Sequence, residues 1–111
     1  MKTIKIIADK IEDEMEDVES YVDLAIENKE TDADAYTTYI TLANEEYNHA
    51  MKLHDLVTRE IGKARKMLAE RGEIPPQYML TMWNEKHEEY IKKMAELKYQ
   101  IDLAQKNIKM M

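Results

Sequence analysis

TDADAYTTYITLANEEYNHAMKLHDLVTREIGKARKMLAERG, residues 31–72, is the stretch that decides the fold. Tyr36, Ile40, Ala43, Tyr47, Ala50, His54, Val57, Ile61, Ala64 and Leu68 recur at spacings of four and three, the pattern of one helix face turned to a core. Thr31 followed by Asp34 fits a capping box, and Asp32 adds negative charge to the first turn. Gly62 is a mild weakness inside the run, and Gly72 is its stop. A helix over about 32–70 follows.

Working outward, Ile4, Ala8, Ile11, Met15, Val18, Val22 and Ala25 keep the same spacing and predict a first helix over about 4–29. Downstream, Pro75-Pro76 opens a third helix, about 76–109, with the stripe Leu80, Trp83, His87, Tyr90, Met94, Leu97, Ile101, Ala104 and Ile108. No stretch alternates apolar and polar residues as a half-buried strand would. The fold class is therefore all-α: one domain of three long antiparallel helices, crossing at angles near those of coiled coils. A chain of 111 residues buries only a modest core, so oligomerisation is expected to complete the bundle as a homodimer or higher homo-oligomer.

Composition excludes several classes of function. Sixteen basic against 23 acidic side chains leave a net charge of -7, which repels phosphate backbones and anionic membranes alike. The apolar stretch Ile6-Ile7-Ala8 is cut by Asp9, far short of a leader or a membrane span, and a cytoplasmic location is the expectation. With no cysteine, any metal must be held by carboxylates and imidazoles. No Ser-His-Asp arrangement, phosphate-cradling Gly loop or zinc-finger spacing occurs, so hydrolytic and nucleotide-dependent chemistry finds no support. Most of the nine Met fall on or beside the stripes, where Met fills irregular gaps in a core.

Within residues 43–50, Glu46 and His49 form Glu-x-x-His, which sets a carboxylate and an imidazole on neighbouring turns of one face. Glu46 lies among Ala43, Ala50 and Leu53, and His49 among Leu42, Leu53 and Leu56, so both are expected on the apolar side, with Glu45 solvated. On the first helix Glu14 interrupts the line Ile7, Ile11, Val18, Tyr21 and Ala25, where an unpaired carboxylate is costly to bury. Equal rise per residue across the first hairpin pairs positions whose numbers total about 60, which brings Glu14 level with Glu46. Two carboxylates and an imidazole thus converge from two helices. Without a cation the carboxylates repel, and the alternative is a buried polar network or a carboxylate paired with protonated His49.

Glu14, Tyr21 seven residues on, and Ala-x-x-Glu-x-x-His-Ala at residues 43–50 resemble the first half of the ferritin-like superfamily, over roughly residues 4 to 57. In ferritins, rubrerythrins and their relatives, such a Glu and Glu-x-x-His form half of a di-iron or di-manganese carboxylate site; the chain also resembles small, uncharacterised ferritin-like proteins of bacteria and bacteriophages, which imply no reaction. The resemblance implies iron or manganese held by Glu14, Glu46 and His49, with oxidation of Fe(II) by dioxygen as the associated activity. Tyr21 and Tyr47 are expected beside that site.

The third helix departs from the pattern, since it has neither a bridging Glu nor a second Glu-x-x-His. As in encapsulated ferritins, two copies of Glu14, Glu46 and His49 across a twofold axis would complete a site shared between chains. The second hairpin pairs positions totalling about 147, which puts Lys98 to Ile101 opposite the site and His87 level with Glu60, roughly 16 Å away along the axis. His54 and His87 are lesser candidate ligands, the more usual role of a seam histidine being a hydrogen bond to a carbonyl or carboxylate. The competing account of the whole chain is a non-catalytic helical interaction module without metal.

Overall fold

The computed structural model describes residues 2–110, with the side chains of Lys2, Tyr78, Met79, Met82 and Trp83 left undescribed, so the stripe position expected for Trp83 lies outside the described residues. The chain is all-α, in three helical segments. Helix α1 is Lys2–Asn28 and α2 is Ala33–Glu70. The third segment is α3, Gln77–Thr81, a π-helical turn, Met82–Lys86, and α4, His87–Met110. No strand occurs among the described residues. The 38 residues of α2 account for the long dimension of a rod of 60 × 19 × 17 Å.

Local chemistry sets each end of α2. The cap at its start is Asp32, whose carboxylate accepts from the Ala35 amide at 3.0 Å, rather than the expected Thr31. Asp32 takes the role because its own amide turns back to the Asn28 carbonyl at 2.9 Å and leaves its backbone extended, as a cap residue requires. At the other end Gly72, at φ 69°, lets its amide reach the Ala69 carbonyl and the Glu73 amide reach Leu68, the paired bonds of a Schellman stop.

Three apolar layers stack along the rod. Ile4, Ile7, Ile11 and Met15 meet Ala50, Val57, Ile61, Tyr90 and Met94 in the first. Val18, Val22, Ala43, Leu97 and Ile101 form the second, and Ala25, Tyr36, Ile40 and Ala104 the third. Ile11, Val18, Ile40 and Ile101 are fully buried, each side chain contributing about 1.5–3 kcal/mol by leaving water. Met15 and Met94 are core residues, as expected, whereas Met67 and Met110 are exposed. Polar ties to α1 then hold the third segment. The Tyr90 hydroxyl donates to Glu12 at 2.9 Å, Lys86 reaches the same carboxylate at 3.3 Å, and Lys93 pairs with Glu19 at 2.9 Å.

The expected single third helix is interrupted by the π turn, and its level against α2 is shifted. His87 meets His54 rather than Glu60, a displacement of six positions or about 9 Å. The irregular residues 73–76 and the wide turn at Met82–Lys86 break the equal rise per residue that the level rule assumes. Further up, Lys98 lies over the Tyr47 ring at 5.5 Å, close to its expected level.

The glycines give a direct test of this account. Gly62 sits exposed inside α2 with open space where a Cβ would stand, so Gly62→Ala should stabilise the chain by about 1 kcal/mol, a rise of about 4–8 °C in melting temperature. Gly72→Ala forces a side chain into the left-handed region and should cost about 1–2 kcal/mol. Thermal melts followed by circular dichroism measure both.

Candidate metal centre

Glu14 comes from the middle of α1, and Glu46 and His49 from successive turns of α2. Register in the α1–α2 hairpin brings them together, as the level argument requires. His49 Nδ1 is 3.8 Å from Glu14 Oε2 and 3.7 Å from Glu46 Oε1. One donor atom from each of the three lies within 4.8 Å of the others, a spacing that one cation could bridge.

The site occupies the edge of the α1–α2 seam turned away from α4. Glu12 and Glu19 reach Tyr90, Lys86 and Lys93 on the third segment. Glu14, two residues from Glu12, points about 160° away from it around α1. Tyr21, Leu42, Leu53 and Leu56 flank the site only half-buried, Leu53 and Leu56 packing on the first core layer and Tyr21 on the second. His49 accordingly departs from expectation: its side chain is 56% exposed, against 23% for Glu14 and 24% for Glu46. An apolar neighbourhood on its own helix did not bury His49, because α4 packs on the other side of the hairpin.

The electrostatics are those of two carboxylates with one proton too few. Hydrogen bonding to Glu14, burial and the Glu14 charge push the Glu46 carboxyl up to about 7, with Asp17 adding to the rise and His49 opposing it. Glu14 Oε2 is buried with no hydrogen-bond partner among the described residues. A buried carboxylate oxygen left unsatisfied is costly, and a cation between Glu14, Glu46 and His49 would remove that cost. The donor set of two carboxylates and one imidazole suits iron or manganese.

The other sequence candidates form a separate group. His54 Nε2 and His87 Nδ1 are 3.1 Å apart, their rings stacked at 4.9 Å between centroids. Burial and then the His87 charge hold His54 below the usual imidazole range, with Asp55 opposing. Eight residues of α2 separate His54 from Glu46, about 12 Å along the axis, so neither histidine serves the first group. Of the two tyrosines expected beside the site, Tyr21 stacks on Tyr39 at 6.4 Å and Tyr47 lies beneath Lys98. The bond from Tyr90 to Glu12 was not foreseen, since its apolar spacing marks Tyr90 only as core; burial and that bond raise its phenol above the usual range.

Compared with family models, curated proteins and solved structures, the chain finds no match in any of the three. Among the described residues no helix is long and apolar enough to cross a membrane.

A pH dependence follows from the carboxylate pair. Glu46 titrates near 7 in the folded chain and near 4.5 unfolded, so between those values the folded state holds a proton that the unfolded state has released. This contribution to stability is complete below about pH 4.5 and is lost as pH rises through about 7. In chelator, wild-type stability relative to Glu46→Gln should therefore decline from pH 4.5 to 8, as read by urea denaturation. Parallel curves for the two proteins would contradict the shared proton.

Proposed function

We propose that the chain is a ferritin-like metal-binding protein that holds iron or manganese through Glu14, Glu46 and His49. The observation that carries this reading is the buried Glu14 Oε2, without a hydrogen bond among the described residues, facing a second carboxylate and an imidazole across the hairpin seam. The sequence resemblance supports the same assignment independently of the coordinates.

Three donors are half of a dinuclear carboxylate set. The half-buried leucines around them and the exposed His49 support completion by a second copy of the chain, related by a twofold axis. Such a homodimer would gather two copies of each donor and cover the open edge. In it, Glu14 and Glu46 would supply negative oxygen ligands from facing helices, and His49 a neutral nitrogen from the next turn. Bound iron would supply redox chemistry, oxidation of Fe(II) by dioxygen being the reaction implied by the resemblance. The expected location is the cytoplasm.

A second reading, a helical interaction module without metal, draws on the exposure of His49 and the lack of a further donor from α4 at this level. Metal analysis of protein from iron- or manganese-supplemented cells separates the two, with Glu46→Ala and His49→Ala alongside and molar mass read by light scattering. The metal-binding reading expects about one ion per chain in a dimer, lost in both variants. A dimer that survives chelation and carries no metal would favour the interaction module.

A further inference from the structure

We infer that His54 and His87 form a second metal site, independent of Glu14, Glu46 and His49, for a late first-row divalent ion such as Cu(II), Ni(II) or Zn(II). The two imidazoles come from different segments: His54 from mid-α2 and His87 from the first residue of α4, immediately after the π turn. Their facing nitrogens are 3.1 Å apart and their ring centroids 4.9 Å apart.

With metal–nitrogen bonds of about 2.1 Å, a 3.1 Å nitrogen separation sets an angle of about 95° at the ion. The rings are stacked with 23° between their planes, so each ring turns about its Cβ–Cγ bond before one ion lies in the plane of both. An angle near 95° suits a tetragonal or octahedral ion, and neutral imidazole is a favoured ligand of copper, nickel and zinc.

Space and access agree. His54, His87, Ile11, Val57, Ile61 and Tyr90 border a cavity of about 20 Å³, room for one water-sized ligand to the same ion. Both histidines are half-buried, so an ion can enter from solvent. On binding, the ring that donates the hydrogen bond gives up that proton to solvent and takes one on its outer nitrogen, so both rings stay neutral and both facing lone pairs turn to the metal. The bound ion then links the third segment to α2 beside the π turn.

Cu(II) titration at neutral pH tests the site on the full chain. The triple variant Glu14→Gln, Glu46→Gln, His49→Gln removes the first group and leaves His54 and His87 as the remaining histidines. It should still bind about one Cu(II) per chain, with electron paramagnetic resonance reporting nitrogen ligands. His54→Gln and His87→Gln should each weaken that binding at least about tenfold, with folding checked by circular dichroism. Sub-stoichiometric Cu(II) should also broaden both remaining imidazole proton signals of the triple variant together, a readout that leaves the pair intact. Unbroadened signals, or unchanged titrations in the two single variants, overturn the inference. Neither outcome bears on iron or manganese at the first group.

Discussion

The turn of residues 29–32 between α1 and α2 sets the register on which the rest of the molecule depends. Asn28 accepts the Thr31 and Asp32 amides and Asp32 caps α2, so the second helix begins at one fixed height beside the first. From there the two helices rise equally per residue, and every facing pair down the rod is decided. Ile11 and Val18 close the core beneath this seam, and Glu14, lying between them in sequence, is carried to the level of Glu46. A one-residue slip would turn the α1 stripe by about 100° and scatter both the core and the carboxylates.

That register imposes a cost which gives the site its interest. Two carboxylates a quarter exposed, with one buried oxygen making no hydrogen bond among the described residues, raise the Glu46 carboxyl to about 7. Burying well-packed apolar side chains at these positions would hold the hairpin together at least as well. The polar group is therefore better understood through what it can bind than through stability. Its location on the edge away from α4 leaves His49 more than half exposed.

The third segment works under a different constraint. It is held to α1 and α2 by the apolar layers, and to α1 also at its polar margin, through Glu12 and Glu19. Where the π turn ends, the packing admits two imidazoles and a small cavity instead of another leucine. The acidic α1 surface and the lysines of the third segment, Lys86 and Lys93, thus help set which way the segment faces, and the histidine pair lies where the helix resumes regular winding.

Much of the fold was legible in residue order, because helix periodicity, the Gly72 stop and the two prolines act locally. The stripes through Val18, Ile40 and Ile101 identify side chains that the structure buries, and equal rise across one short turn was enough to set Glu14 beside Glu46. Tertiary structure alone decided which face α4 would cover, and with it the exposure of His49, because a stripe shows that a face is apolar without showing what packs on it. It alone brought His54 to His87, since the irregular linker and the π turn displace the third segment by an amount that no spacing rule carries. Local sequence governs winding and ends; relative placement across an irregular connection is settled by packing, which sums over all three segments at once.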